Sequence, residues 1–232
     1  EAIVCDSLSV YTRSLCEKIK AGVNADNYEK PLAGLRIVVD AGNGAGGFFV
    51  EQVLAPLGAD TTGSQFLEPD GMFPNHIPNP EDKVAMEAIK SAVIKNNADL
   101  GIIFDTDVDR MAAVLPDGSA VNRDAIIAMM AAILAKDYPG STIVTDSVTS
   151  DRLTDFLENE LKLKHHRFKR GYKNVINESI VSSPSSSKVL WLVASAFKTI
   201  ALGKASLNVL HTLFSFSNIF TEIPFSNNKL AR

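Results

Sequence analysis

The chain has 232 residues, 46% of them hydrophobic and 22% charged, enough for one large or two small cores. A net charge of −4 supplies no general attraction for nucleic acid, so no nucleic-acid partner is expected. The two cysteines, Cys5 and Cys16, match no metal spacing, so a reducing compartment is expected and a disulfide is not.

In chain order, Ser7 to Val23 carries Leu8, Tyr11, Leu15 and Ile19 at helical spacing, which predicts a helix with those four on one face. Leu35 to Val39 is a buried strand running into the glycine turn of "LRIVVDAGNGAGG". "FFVEQVLAPLG" is a helix ending near Pro56 and Gly58. "EPDGMFPNHIPNPE" holds four of the ten prolines and is an ordered or extended loop. A helix begins just after Pro80, "DLGIIFD" is a second buried strand, and "MAAVLPDGSAV" is a strand with a turn at Pro116-Asp117-Gly118. "RDAIIAMMAAILAKD" is an apolar helix, "STIVTDSV" a strand and "SDRLTDFLENEL" a helix. Strands alternating with helices predict an α/β fold with a mixed, mostly parallel sheet layered by helices.

The composition changes near Val181. Residues 181–232 carry five basic residues and one acid, a net +4 that leaves −8 on residues 1–180, and they contain ten serines. This is a candidate boundary. Lys198 and Lys204 interrupt the apolar stretch of the tail, so a membrane span of about 20 apolar residues is not expected. An interfacial amphipathic helix is the remaining membrane reading.

The most informative stretch is "GIIFDTDVDR". Alternate residues of an extended segment point the same way, so Asp105, Asp107 and Asp109 are expected to converge. Three carboxylates held together repel, and protonation or a cation must neutralise them. Hard oxygen ligands favour Mg²⁺ or Ca²⁺, and Mg²⁺ keeps coordination places for water and a substrate phosphate. The competing reading is a solvated acidic loop. The run follows a buried strand directly, however, where open α/β sheets place ligands. An EF-hand would need glycine at the sixth loop position and glutamate at the twelfth, where Arg110 and Pro116 stand. A phosphatase of the haloacid-dehalogenase type would use Asp105 and Asp107, but its Asp-x-Asp-x-Thr/Val pattern meets Asp109 at the fifth position.

"GNGAGG" satisfies G-x-G-x-x-G through Gly42, Gly44 and Gly47, between a strand and a helix. Dinucleotide binding would also need an acid ending the next strand. Asp60, Glu68 and Asp70 are poorly placed for that. The alternative is a tight connection in which glycine lets backbones approach.

Together, "VVDAGNGAGG", "DGMFPNHIPNPE", "FDTDVDR", "VTDSVTSDRL" and "FKRGYKNVI" resemble, in matching order, segments of the α-D-phosphohexomutases, the phosphoglucomutase and phosphomannomutase family. The similarity spans roughly Asp6 to Ile180. The resemblance implies that family's second domain at 6–137, part of its third at 138–180, and a divergent tail at 181–232, expected to be an alternative C-terminus that packs poorly. The family's metal loop is usually written DGDxDR, so Thr106 stands where glycine is usual.

The resemblance further implies Mg²⁺ held by Asp105, Asp107 and Asp109. Arg110 would be a cation facing the reacting phosphate or sugar, and Lys169 a basic residue facing the cleft. The competing role for Arg110 is a salt bridge orienting the aspartates, and for Lys169 a solvated surface charge. In the family a phosphoserine donates its phosphoryl group to a hexose phosphate, the bisphosphate reorients, and the other phosphate returns to the serine. No T-x-S-H-N-P loop and no G-E-x-S-G loop occurs in this sequence. The chain is therefore expected to be inactive alone, with activity in a longer parent whose start precedes Glu1. A non-catalytic module binding metal and sugar phosphate is the alternative. A cytoplasmic location, or a plastid one behind a transit peptide, is expected.

Overall fold

The computed structural model of the chain describes residues 6–181 and 189–191. Helix α1 spans Ser7–Val23. Asp6 caps its start by accepting the Ser9 N–H at 3.1 Å, and Asn24 ends it in the left-handed region. The apolar face is only partly covered. Thr12 and Ile19 are buried with Leu15, Cys16 and Val23 against the core, whereas Leu8 and Tyr11 are exposed. The cover is partial because α1 packs on the helical turn Val50–Leu54, where Cys16 Sγ meets the Gln52 carbonyl at 3.5 Å.

Strands β1 (Ile37–Asp40), β2 (Leu100–Phe104) and β3 (Met111–Val114) form one sheet in that order. β1 and β2 are parallel, with Ile37 opposite Leu100, and β2 and β3 are antiparallel, with Phe104 opposite Met111. The parallel pair needs a crossover, and helix α2 (Lys83–Asn96) lies on it. Residues 60–65 run parallel along the other edge of β1, with Gln65 N–H donating to the Val39 carbonyl at 2.8 Å. Side chains alternate across the sheet. Ile37, Val39, Leu100, Ile102 and Phe104 join the core beneath α1, while Val38, Ile103 and Val114 pack with Ile89 and Val93 of α2. Both faces are covered, so the strands are apolar throughout rather than alternating.

Helix α3 (Arg123–Asp137) serves two cores: Met129 packs into the first, Ile127 and Ala131 into a second with Ile143, Leu153 and Leu157. Apolar residues on all sides are what a helix buried between layers requires. The second sheet is parallel, with β4 (Thr142–Asp146) between β5 (Lys164–Phe168) and β6 (Val189–Trp191). Helix α4 (Asp151–Asp155) and the turn Phe156–Glu160 precede β5, and α5 (Tyr172–Val181) follows it. β6 comes from the segment expected to pack poorly. Val181 ends α5, and the rest of that segment lies outside the described residues. Among the described residues no helix is long and apolar enough to cross a membrane.

Candidate metal centre

The aspartates occupy the six-residue connection between Phe104 and Met111. β2 runs buried up to its end, so it delivers Asp105 into the protein, 2% exposed. The connection is a tight turn rather than extended chain: Asp105 N–H donates to the Arg110 carbonyl at 3.1 Å, and Val108 N–H to the Asp105 carbonyl at 3.4 Å. The three carboxylates do converge, each offering an oxygen within 4.8 Å of the others. The turn produces that convergence, not the alternation expected of a strand. Val108 has φ +64°, a left-handed conformation that β-branched residues rarely adopt. Such a residue costs on the order of 1–3 kcal/mol and persists only where its surroundings enforce it.

Arg110 closes the turn. Its backbone N–H donates to Asp105 Oδ1 at 3.0 Å and its Nε to Asp105 Oδ2 at 2.9 Å. Nε also lies 3.7 Å from Asp109 Oδ1, and Nη1 donates to Asn79 Oδ1 at 3.3 Å. Burial pushes the Asp105 carboxyl up. The Arg110 backbone N–H, a hydrogen bond with Asp109 and the Arg110 guanidinium outweigh it, and hold the carboxyl below the usual carboxylate range.

Two neighbouring segments support the turn. Ala45 N–H donates to the Thr106 carbonyl at 2.9 Å, and a Cβ on Gly44 would stand 2.8 Å from that oxygen and 3.0 Å from Thr106 Cα. A Cβ on Gly47 would overlap the Leu67 carbonyl. The glycine turn is thus the close backbone approach, with Gly44 pressed against the metal loop. Of the acids considered for dinucleotide binding, Asp60 is remote from the glycine turn. Asp60 pairs with Arg36 (2.7 Å) at the start of β1, about 13 Å of strand from the glycine turn at its end.

The proline segment is the second support. His76 Nε2 meets both oxygens of the fully buried Asp40 at 3.1 Å, and the Asp40 carboxylate also accepts from Gly42 N–H and Gln65 Nε2, each at 2.8 Å. Asn75 Nδ2 donates to Asn43 Oδ1 at 2.7 Å. Asp40, Asn43, His76 and Asn79 were not apparent as site residues in the sequence. The only available signal was their position, at the end of β1 and in a proline-rich segment too polar for a core.

Lys169 lies elsewhere. It follows β5 in the second sheet, exposed, with Nζ 5.9 Å from the Phe168 ring centre. The aspartates follow β2 in the first sheet, where Arg110 is their cation.

The chain is similar to several known proteins. Residues 11–118 match the family model described as phosphoglucomutase/phosphomannomutase, alpha/beta/alpha domain II. A phosphomannomutase/phosphoglucomutase of Pseudomonas putida is 36% identical over 140 residues, covering 57% of this chain and 30% of the relative. The chain thus spans about a third of that relative's length. A phosphoglucomutase/phosphomannomutase family protein of Burkholderia thailandensis superposes with a TM-score of 0.70 at 24% identity, over 92% of this chain and 46% of the other. An N-acetylphosphoglucosamine mutase of Aspergillus fumigatus, solved in complex with GlcNAc-6P and magnesium, shares the fold with a TM-score of 0.56 at 16% identity, over 90% of this chain and 46% of that one. A buried β2 that ends in a carboxylate-lined turn, braced by a glycine turn and a proline segment, accordingly lies within residues 11–118, the stretch that matches domain II of the phosphoglucomutase/phosphomannomutase family.

Proposed function

We propose that Asp105, Asp107 and Asp109 hold Mg²⁺ and that the chain supplies this metal site to a phosphohexomutase acting on a hexose phosphate. The observation that carries the reading is the convergence of three carboxylate oxygens within 4.8 Å. Ligands at about 2.1 Å from Mg²⁺ stand roughly 3 Å apart when adjacent and 4.2 Å apart when opposed, so small side-chain adjustments bring the three onto one ion. An all-oxygen donor set also suits a hard cation. When bound, Mg²⁺ would neutralise charge on a transferring phosphoryl group. The protein's own contribution is positioning: Asp105 is anchored by Arg110, while exposed Asp107 and half-exposed Asp109 face solvent where ligand can enter. Arg110, its side chain 32% exposed, orients Asp105 and leaves an edge toward an incoming phosphate. Lys169 belongs to this reading as a second cation at the end of β5, the strand end at which α/β sheets bind ligands.

Names of relatives support the reaction class, intramolecular phosphoryl transfer in an isomerase of glucose or mannose phosphates. A dehalogenase-type phosphatase is disfavoured, since it would use Asp105 as a nucleophile and Arg110 occupies both of its oxygens. Calorimetric titration of the chain with Mg²⁺ tests the site. Asp107→Asn, which removes a charge without changing shape, should weaken binding several-fold, and unchanged affinity would overturn the assignment. A coupled assay for glucose 6-phosphate from glucose 1-phosphate should show no turnover by this chain alone, because it has no T-x-S-H-N-P serine to carry the phosphoryl group.

A further inference from the structure

Arg110 is held at two places, and one of them lies outside the metal loop. Nε sits on Asp105, while Nη1 reaches the amide oxygen of Asn79 in the proline segment. That oxygen also accepts the Glu81 N–H at 3.1 Å, so the Asn79 side chain is fixed by its own turn. The segment is in turn pinned from beneath by the buried Asp40–His76 contact and by Asn75 on Asn43.

We propose that Asn79 is a positioning residue of the metal loop: seated by the Asp40–His76 pair, it takes one end of the Arg110 guanidinium and thereby keeps Arg110 on Asp105 and off Asp109. The argument is geometric. Nε lies 2.9 Å from Asp105 but only 3.7 Å from Asp109. A guanidinium is a planar fork, and a second anchor on Nη1 fixes its plane. Released from Asn79, the fork turns toward Asp109 and engages a carboxylate that the ion needs. The inference rests on the Mg²⁺ reading for its consequence, though not for the contact itself.

Two readouts on the ¹⁵N-labelled full chain separate these. The first is the Arg110 Nε–H resonance in metal-free protein, assigned by its loss in Arg110→Lys. The second is calorimetric Mg²⁺ affinity. In Asn79→Ala the Nε–H resonance should broaden and shift from its wild-type position as Nε exchanges Asp105 for Asp109, and Mg²⁺ affinity should fall about 2- to 10-fold, the worth of one hydrogen bond. Asn79→Asp keeps an acceptor at the same reach and should restore the resonance. If Asn79→Ala does not fold, Asn79→Ser supplies an oxygen for the Glu81 N–H without the reach to Arg110 and reports the same quantity. A resonance indifferent to these changes overturns the proposal whatever the metal does. A resonance that changes while Mg²⁺ affinity stays at the wild-type value also overturns it, because the anchor then does nothing for the site. Wild-type protein that binds no Mg²⁺, yet shows an Asn79-dependent resonance, would sink the metal reading and leave the Arg110 clamp standing.

Discussion

Gly44→Ala tests whether the glycine turn shapes the metal loop. The backbone at Gly44, φ −85° and ψ −162°, is open to alanine, so any effect comes from the added methyl. That methyl would stand 2.8 Å from the Thr106 carbonyl oxygen, 3.0 Å from Thr106 Cα and 3.2 Å from the Ala41 carbonyl oxygen. All three are backbone atoms, and no side-chain rotation relieves them. Reaching an ordinary contact of about 3.5 Å requires the Thr106 carbonyl to retreat by roughly 0.7 Å. Overpacking of this kind costs about 1–3 kcal/mol. For a chain of this size that is a melting shift of about 2–12 °C downward. Thr106 lies between Asp105 and Asp107, and its carbonyl accepts the Ala45 N–H, so its retreat spreads two of the ligands. Mg²⁺ affinity should therefore fall with stability. Gly71→Ala is the control, since a Cβ there meets nothing within 4 Å. It should stay within about 0.5 kcal/mol of wild type. Differential scanning fluorimetry and Mg²⁺ calorimetry read both quantities. If Gly44→Ala melts and binds like Gly71→Ala, the glycine turn does not press on the loop and the reasoning fails.

Three further outcomes are expected. Leu57→Ala removes a fully buried side chain from the core beneath α1 and should cost about 2–5 kcal/mol in chemical denaturation. The His165 side chain is held by Thr145 and Thr154 hydroxyls at 2.8 Å; burial first, then the Arg167 charge, lower its pKa from the ordinary 6.5. The unfolded chain then takes up that proton first, so the associated stability is present above about pH 6.5 and is lost as pH falls through the lowered folded value; His165→Gln should flatten the melting-versus-pH curve in that range. Asp60 is held at about 2 by hydrogen bonds from the Thr62 hydroxyl and backbone and then by Arg36. Its stabilisation should be present above about pH 4 and disappear as pH falls toward 2, a loss that Asp60→Asn should remove from an acid titration followed by circular dichroism.

Local pattern determined much of this protein. The apolar runs of β1, β2 and β4, the span of α1, and the all-apolar α3 are legible because each answers to a period or a burial requirement that acts within a few residues. The aspartate cluster is legible too, since three carboxylates that close together demand a counter-charge in almost any backbone. Tertiary structure decided the rest. Strand β5, "KHHRF", has no apolar alternation and is a strand because its backbone completes the edge of β4 while His165 bonds to Thr145 and Thr154. Leu8 and Tyr11 share the spacing of buried residues yet are exposed, because the helical turn at 50–54 sets which side of α1 is covered. The aspartates meet through a turn held by Arg110, and Arg110 through Asn79, thirty-one residues away in the chain. Lys169, joined to them by the family resemblance, follows a strand of another sheet. Hydrogen bonds and close packing between distant segments depend on where the whole chain brings those segments, and no local pattern encodes that.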